Sequence, residues 1–566
     1  MVKRILNFVY KGFDGLHEAA ILLAFSSLGS QVLALFRDRL LAGRFGAGLD
    51  LDIYYASFRI PDLVYVFAVS LVVSVSVLIP VFLGKLSADE KNTEDERKQE
   101  ASHFINSVFT IFTILIFSLA VILFFLVPYL VKFIAPGFSE NEAGKLIALT
   151  RILLLSPAFL GLSGILSSVV QSFNKFFIYA LAPIFYNFGI IFGIIFLYPI
   201  FGLNGLAAGV LFGAFLHFAI QIPIVYKLGF LPKFEMIKNF SDIKKVFRLS
   251  LPRALGLSIT QFVFTIFVAL ASKIGVGSIT ILTFAFNLQS VSLAVIGASY
   301  SVAAFPTLAR FFTENRREEF LNHILIAGRH IIFWSVPLTG LFIVLRAQIV
   351  RVILGKGLFD WTDTRLVAAA LAVFIFSLVS QGLVLLFVRG YYASGETRKP
   401  IIINIISSVI IIISAFAVIK LFNSLPFIRI FFEDLLRING VAGSTVLALP
   451  IAYSLGMLLN GLVLWRIFER DFGRLSGLRR VSWQSIISAV IMGFVAYFSL
   501  FIFSNTFDIN TFIGIFLQGL FSGIIGISAG IGSLIFLKNR ELEEITRSFR
   551  HKFWRVKPIA PQPEEL

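Results

Sequence analysis

The sequence is dominated by long apolar runs, and these runs constrain the fold more than any other feature. Fourteen of them approach or exceed the length of about 20 residues that a helix needs to cross a bilayer. Transmembrane β-strands are shorter and alternate in polarity, which these runs do not. We therefore predict an all-α, polytopic membrane protein with about 14 transmembrane helices. The predicted spans are 19–36, 63–84, 104–131, 152–174, 176–198, 203–226, 254–272, 278–309, 320–345, 366–388, 401–419, 440–465, 481–507 and 511–537.

Composition excludes the other broad classes of protein. Hydrophobic residues make up 58% of the 566 residues and charged residues only 14%, whereas soluble domains are about 45–50% apolar and about 25% charged. The chain has no cysteine, which excludes disulfides and thiolate metal sites. Its six histidines form no HExxH motif, so no metal site is expected. The net charge of +17 fits anionic lipid at the cytoplasmic face rather than nucleic acid.

The basic residues also predict the orientation of the chain in the membrane. Most of them fall in alternate connecting segments, and the positive-inside rule then places both termini in the cytoplasm. The polar segment 85–103 is predicted to be a solvated cytoplasmic loop. The tail from 539 onward is predicted to be a basic amphipathic helix on the inner leaflet, and 425–438 a short interfacial helix on the outer face. No cleavable signal peptide is expected.

The chain contains an internal repeat. Arg44-Phe-Gly-Ala-Gly48 has a counterpart in Lys273-Ile-Gly-Val-Gly277, and Pro183-Ile-Phe-Tyr-Asn187 has one in Pro400-Ile-Ile-Ile-Asn404. Helices 1–6 and 7–12 are therefore interpreted as two copies of one six-helix unit. An even number of helices gives both copies the same orientation, a parallel repeat that is typical of transporters.

This repeat predicts the domain organisation. Two six-helix lobes are followed by two additional C-terminal helices. The predicted segments are a cytoplasmic N-terminus at 1–18, an N-lobe at 19–228, a C-lobe at 229–470, helices 13 and 14 at 471–538, and a basic cytoplasmic tail at 539–566.

Ionisable residues in or beside the spans are the candidate substrate site, since charge inside a membrane is costly and usually functional. Arg37 and Arg59 lie in the first lobe, where the second lobe has neutral residues. The planar fork of arginine suits phosphate, so the pattern predicts an anionic headgroup as cargo. Asp38 and Asp52 are expected to orient these arginines.

At these residues the sequence resembles the MviN-type lipid II flippases, the MurJ family of the multidrug/oligosaccharidyl-lipid/polysaccharide exporter superfamily. The strongest stretch runs from Phe36-Arg-Asp38 through Arg44-Phe-Gly-Ala-Gly48 to Asp52-Ile-Tyr-Tyr-Ala-Ser-Phe-Arg-Ile-Pro-Asp62. Weaker matches follow in family order over about residues 20 to 540. They are Ala135-Pro-Gly-Phe138, Phe173-Asn-Lys175, Ala182-Pro183 with Asn187, Phe305-Pro306, and Gly390-Tyr-Tyr392 with Pro400.

The resemblance implies a flippase that moves a polyprenyl-pyrophosphate-linked peptidoglycan precursor from the inner to the outer leaflet of the bacterial cytoplasmic membrane. It also implies fourteen helices, two lobes, a lateral portal and a lipid-linked substrate. We expect the two lobes to work by alternating access. Arg37, Asp38, Asp52 and Arg59 match positions of the family motif.

Three positions depart from the family pattern. Gln31 and Tyr65 stand where the family often has arginine, and Phe286-Asn287 stands where it often has Asp-Arg. Gln31 and Asn287 are kept as substrate-binding candidates. Arg253 is a further candidate, which would restore one positive charge.

Other functions remain open at this point. The same fold could export another polyprenyl-linked oligosaccharide, or act as a scaffold without transport. A Mg²⁺-dependent transferase would need paired acids near a membrane face, for which Asp50-Leu-Asp52 is the one close pair beside a span. No nucleotide-binding loop is found, so a transporter rather than an enzyme is expected. No cofactor is expected, whereas a coupling ion, the membrane potential and cell-wall synthesis proteins as partners are left open.

Overall fold

The computed structural model describes residues 16–73, 75–87, 93–235 and 240–554, and every regular element in these ranges is helical. The prediction of an all-α protein is confirmed. The helices are α1 (Leu16–Phe45), α2 (Leu49–Ser57), α3 (Arg59–Val64), α4 (Ser70–Val72), α5 (Val75–Ser87), α6 (Glu94–Ile134), α7 (Glu140–Leu153), α8 (Ser156–Ser172), α9 (Phe176–Phe192), α10 (Tyr198–Phe201), α11 (Leu203–Ala219) and α12 (Ile222–Lys227).

The chain continues with α13 (Phe240–Ile274), α14 (Ser278–Leu293), α15 (Ser299–Thr313), α16 (Arg317–Leu354), α17 (Trp361–Ile375), α18 (Leu378–Ala393), α19 (Arg398–Ser424), α20 (Pro426–Leu436), α21 (Ala448–Phe472), α22 (Leu478–Ser504), α23 (Phe512–Phe536) and α24 (Arg540–Trp554). A 3₁₀ turn, Ser444–Leu447, precedes α21. Three π-helical turns, Tyr65–Val69, Gly193–Leu197 and Ala294–Ala298, interrupt longer helices.

The described helices account for most of the predicted spans. Twelve of them are long and apolar enough to cross a membrane, or thirteen if the pair α17 and α18, bent by 44°, forms one span. The first predicted span, 19–36, lies on α1, which is outside that count. The total is roughly consistent with the predicted fourteen.

Local sequence explains where several helices begin. Thr93 and Glu96 form a capping box, in which each side chain binds the backbone N–H of the other, and this starts α6 at Glu94. The predicted solvated loop 85–103 is therefore partly helical, a correction to its expected conformation. The break between the predicted spans 176–198 and 203–226 coincides with Gly202, which has a φ of +59°, and α11 begins at Leu203.

The predicted repeat has a structural counterpart. The helices that begin at Leu49 and Ser278 are offset by 229 residues, and so are the π-helical turns that begin at Tyr65 and Ala294. Two segments of the chain thus share both a helix start and an unusual backbone turn at matching positions.

Contacts divide the chain into two compact units. Unit 1 comprises Met1–Leu288, Ile353–Ala370 and Thr397–Gly456, and unit 2 comprises Gln289–Val352, Leu371–Glu396 and Met457–Leu566. The lobe boundaries given by the sequence remain a prediction.

Helices α9 and α11 pack backbone to backbone within unit 1. A Cβ atom on Gly189 would lie 2.2 Å from Gly213 Cα, and one on Gly193 would lie 2.5 Å from Gly209 Cα. Only glycine permits this approach, which resembles the close packing of small residues in membrane helix pairs. The two helices are therefore packed as closely as two helix backbones allow.

The predicted terminal and interfacial helices are both present. Helix α20 occupies most of 425–438, and α24 follows Asn539. Glu541 on α24 is buried and forms an ion pair with Arg329 of α16, while Glu544 pairs with His330 at 3.5 Å. Helix α24 is thereby fixed to unit 2 by charged contacts.

Candidate functional site

Arg37 is the centre of a polar network inside unit 1. Its Nε and Nη2 atoms donate hydrogen bonds to Asp38 Oδ1 at 3.0 and 2.8 Å. The side chain of Arg37 is 20% exposed and that of Asp38 is 4% exposed. Two donors of one guanidinium on one carboxylate oxygen hold the arginine in a fixed orientation.

Two asparagines complete this network from other helices. Arg37 Nη1 donates to Asn187 Oδ1 at 3.3 Å, and Asn187 Nδ2 donates to Ser30 Oγ at 3.3 Å and to the carbonyl of Pro183 at 3.1 Å. Asn287 Nδ2 donates to Asp38 Oδ2 at 3.1 Å. Helices α1, α9 and α14 therefore converge on the Arg37–Asp38 pair.

Asn187 was absent from the predicted site residues. The signal was present in the sequence, because Pro183-Ile-Phe-Tyr-Asn187 is one half of the second repeated motif. A polar residue at a repeated position inside an apolar span is a candidate for the same reason that a charged one is.

Arg59 and Asp62 form a second pair on α3, with Nη2 3.6 Å from Oδ2. Arg59 Nε is buried and has no hydrogen-bond partner among the described residues. Tyr186 lies within electrostatic range of both Arg37 and Asp62, so it links the two pairs. We call Arg37, Asp38, Arg59, Asp62, Asn187 and Asn287 the arginine site.

The arginine site is balanced in charge rather than simply cationic. Each of its two arginines has a carboxylate partner. Arg37 nevertheless uses only three of its five N–H groups in the hydrogen bonds given above, within the part of the chain that the structure describes. The remaining donors of Arg37 and the unpaired Nε of Arg59 suit a phosphate oxygen, which accepts several hydrogen bonds at once.

Asp52 has a different role from the expected one of orienting an arginine. Its Oδ2 accepts from the N–H of Gly277 at 2.6 Å, and its Oδ1 accepts from the N–H and the hydroxyl of Thr280 at 2.8 and 2.7 Å. Asp52 is 1% exposed. Its charge satisfies the free N–H groups at the start of α14, which is where a helix favours an anion.

Asp52 belongs to a wider set of contacts between connecting segments of unit 1. Leu358 N–H donates to the carbonyl of Gly43 at 2.9 Å, Ala47 N–H donates to Asp363 Oδ2 at 2.9 Å, and Gly137 N–H donates to Ser272 Oγ at 3.1 Å. We call the segments 43–48, 135–138, 272–280 and 355–363 the loop junction. Gly277 has a φ of +85°, and a Cβ there would lie 2.2 Å from the carbonyl oxygen of Ala47.

Two of the remaining residues singled out by the sequence, Gln31 and Tyr65, form none of the hydrogen bonds given above. Gln31 is a partly exposed residue of α1, and Tyr65, 36% exposed, begins a π-helical turn. Arg253 lies on α13, but its side chain is outside the described residues.

A Mg²⁺-dependent transferase would need Asp50 and Asp52 to act as a pair, but each of them contacts other groups. Asp50 Oδ1 lies 4.0 Å from Lys145 Nζ, whereas both oxygens of Asp52 are occupied by backbone and hydroxyl donors. Among the described residues, no group of three His, Asp or Glu could hold a metal ion.

Unit 2 contains a separate apolar groove of about 700 Å³. Helices α16 and α22 form its walls, and Phe376 and Val379 close one side. Its lining includes Val336, Ile343, Val344, Ile486, Val490 and Phe494.

The fold and these residues define a helical membrane protein of transporter architecture, with a buried polar cluster in unit 1 and an apolar groove in unit 2. The same fold is found in solved transporters. The inward closed conformation of the lipid II flippase MurJ aligns with a TM-score of 0.69 at 23% identity, over 92% of this chain and 99% of that one. An inward-facing MATE family transporter of the MOP superfamily aligns with a TM-score of 0.61 at 14% identity, over 80% and 96%.

The lipid II flippase MurJ family model matches residues 41–518, and the chain belongs to that family. Probable lipid II flippases MurJ of Buchnera aphidicola subsp. Schizaphis graminum and of Borreliella burgdorferi are each 28% identical, over 398 and 409 residues. These alignments cover 69% and 71% of this chain, and 75% and 77% of the two relatives.

Proposed function

We propose that this protein moves lipid II, a polyprenyl-pyrophosphate-linked peptidoglycan precursor, from the inner to the outer leaflet of the bacterial cytoplasmic membrane. Beyond family membership, one observation carries the proposal. Arg37 is held in a fixed orientation by Asp38 and Asn187 while two of its N–H donors have no partner in the described part of the chain. Such an arginine is prepared to bind a phosphate oxygen.

In this proposal the pyrophosphate binds Arg37 and Arg59. The carboxylates of Asp38 and Asp62 neutralise the arginines when no substrate is bound. An uncompensated buried charge costs several kcal/mol, so this pairing allows the empty carrier to change conformation at lower cost. The bound pyrophosphate then competes with the carboxylates for the same guanidinium groups.

The apolar groove of unit 2 is the proposed location of part of the lipid tail. Burial of an isoprenoid chain is favourable by about 0.8 kcal/mol per CH₂ group, and the groove lining is almost entirely aliphatic and aromatic. Polar and apolar parts of the cargo would then be bound by different units.

We further propose that the loop junction is the gate on the outer side. The positive-inside rule places both termini in the cytoplasm, which puts the segments of the loop junction on the opposite face. Release to the outer leaflet would then require the contacts of Asp52 and of Gly43 to open. Return of the empty carrier could use the membrane potential, worth about 2.3 kcal/mol per charge at 100 mV.

Depletion rescue tests this function. The chain would be expressed in a bacterium whose own lipid II flippase is switched off, beside Arg37→Ala/Arg59→Ala and the control Arg470→Ala, an exposed arginine of α21. We expect growth with the wild type and the control but not with the double variant. Equal rescue by the double variant at equal membrane expression would contradict the proposal that the pyrophosphate binds at the arginine site.

A second cargo has specific support. Gln31, Tyr65 and Asn287 are neutral at positions where the sequence resemblance leads us to expect cations, which favours a less charged headgroup. Failure of rescue despite good expression, together with rescue of a strain that lacks another polyprenyl-linked oligosaccharide exporter, would establish this alternative. Failure in both strains would favour a scaffold among cell-wall synthesis proteins.

A further inference from the structure

His217 is an ionisable residue within a candidate membrane span that the arginine site does not use. It lies in the last turn of α11, about ten residues before the end of the span at Lys227. At 1.5 Å per residue, that is about 15 Å from the end of the span. An ionisable side chain at this depth is costly and marks a functional position by default.

His217 belongs to a polar cluster between α8 and α11. Ser163 Oγ lies 2.7 Å from His217 Nδ1 and donates to the carbonyl of His217 at 3.0 Å. Gln221 Nε2 donates to the same hydroxyl, and Gln221 Oε1 accepts from Ser167 Oγ at 2.9 Å. The cluster therefore holds the imidazole in one orientation.

Ser163 supports the imidazole in either neutral tautomer. Its hydroxyl has one proton and two acceptors within reach, His217 Nδ1 at 2.7 Å and the carbonyl of His217 at 3.0 Å. In one tautomer Ser163 donates to Nδ1, and in the other Nδ1 donates to Ser163. In both tautomers one ring nitrogen has a lone pair that can take up a proton.

Tyr186 connects His217 to the arginine site. The two rings meet edge to face, with centroids 6.4 Å apart and planes at 89°. Tyr186 is within electrostatic range of Arg37 and Asp62, and the next residue, Asn187, binds Arg37 directly. The two rings lie on helices α9 and α11, whose backbones are in close contact at Gly189 and Gly213.

Other helices that pack on α11 carry titratable side chains that contact residues other than His217. From α7, Lys145 is close to Asp50, and Arg151 donates to the carbonyl of Phe124. From α2, Asp52 is occupied by Gly277 and Thr280. The His217 ring contacts Ser163 and Tyr186. Tyr198 of α10 and Tyr226 and Lys227 of α12 are the further titratable groups on elements packed against α11.

We propose that His217 binds a proton during the transport cycle, and that the protonated protein binds the lipid-linked pyrophosphate more tightly than the neutral one. This rests on the proposed function of the arginine site. An imidazolium adds a positive charge behind Tyr186, where both arginines are already balanced by carboxylates. Binding of the anion and of the proton then favour each other reciprocally.

The first test measures binding of a short-chain probe, farnesyl pyrophosphate, to the purified full chain by calorimetry between about pH 5.5 and 8. His217→Gln is the matched variant, since an amide can donate to Ser163 but does not titrate. At the acid end we expect the wild type to bind about fivefold or more tightly than the variant, with the difference vanishing at the basic end. Ionisation of the probe itself affects both proteins equally. An identical pH dependence in both overturns the proposal.

The second test observes the proton directly. In protein carrying ¹⁵N-histidine, the signal lost in His217→Gln identifies this residue. We expect it to titrate, and to shift toward the protonated form when farnesyl pyrophosphate is added. A signal that stays neutral throughout overturns the proton site. If neither protein binds the probe but the signal titrates, the proposed phosphate site fails and so does its linkage to His217.

Discussion

Asp52 and Thr280 are far apart in the chain, yet one carboxylate oxygen of Asp52 accepts hydrogen bonds from both the N–H and the hydroxyl of Thr280, at 2.8 and 2.7 Å. The other oxygen binds Gly277. A single side chain of the first repeat thus supports the first turn of a helix in the second. The carboxylate joins two segments that the chain connects only through five intervening spans.

We expect Asp52→Ala to lower the free energy of unfolding by about 3 kcal/mol, since hydrogen bonds to a charged group contribute about 1.5–3 kcal/mol each and their loss is only partly offset by solvent. Asp52→Asn keeps one carbonyl acceptor and should cost less. Thermal unfolding in detergent measures both. Asp50→Ala is the control, because its half-exposed pair with Lys145 is worth about 1 kcal/mol or less. A loss as large for Asp50→Ala would contradict the prediction.

Cysteines introduced at Gly43 and Lys356 should lock the loop junction. A Cβ atom on Gly43 would lie 3.3 Å from Lys356 Cβ, close to the separation of about 3.5–4.5 Å found in disulfides. The chain has no other cysteine, so the pair would be the only thiols. We expect the double variant to crosslink under oxidation and lose transport, and reduction to restore it.

The single variants Gly43→Cys and Lys356→Cys control for the effect of each substitution. Full transport by the crosslinked protein would show that the loop junction stays closed throughout the cycle, and the gate assignment would then be wrong.

Asn187→Ala should impair transport through Arg37 without removing a charge. Loss of a hydrogen bond that positions a charged group costs about 1.5–3 kcal/mol, which corresponds to roughly a tenfold to hundredfold weaker binding of pyrophosphate. Binding of farnesyl pyrophosphate to the purified variant checks this. Ser30→Ala removes only the outer partner of Asn187 and should have a smaller effect, whereas a larger one would indicate that Asn187 is not the main support.

Glu541→Gln should destabilise unit 2 markedly. Glu541 is 1% exposed and its partner Arg329 is 15% exposed, and removal of one member of a buried ion pair costs about 3–5 kcal/mol. Replacement of both by apolar residues, Arg329→Met with Glu541→Leu, should recover much of the loss. Thermal unfolding measures these changes. Arg540→Ala is the control, because the ion pair of Arg540 with Glu544 is exposed and its loss should cost little.

The sequence predicted the helical architecture well because an apolar run of spanning length has few other solutions. It also singled out Arg37 and Asp38, which are adjacent in the chain and charged beside a span, and the two side chains are hydrogen-bonded to each other. Their role in binding substrate stays a prediction. The sequence did not predict hydrogen bonds between residues that are far apart in the chain. Two of the donors to Asp52 are backbone N–H groups 225 and 228 residues away, and backbone groups carry no sequence signal.

Two further differences have similar physical causes. Asn187 is uncharged, so the repeated motif that contains it was the one signal in the sequence, and its contact with Arg37 comes from another helix. The segment before the third span was predicted to be a loop because it is highly charged. Thr93 and Glu96 instead form the capping box that starts a helix there. The polarity of this segment correctly predicted its exposure to water, but it did not predict its helical conformation.

The matching π-helical turns at Tyr65–Val69 and Ala294–Ala298 also bear on how the internal repeat arose. A π-helical turn accommodates one extra residue in an α-helix. An insertion that arose independently in one copy would be absent from the other, whereas both copies contain it at the same distance from their helix starts. One insertion in a single ancestral unit, followed by duplication, would explain this match without two independent insertions.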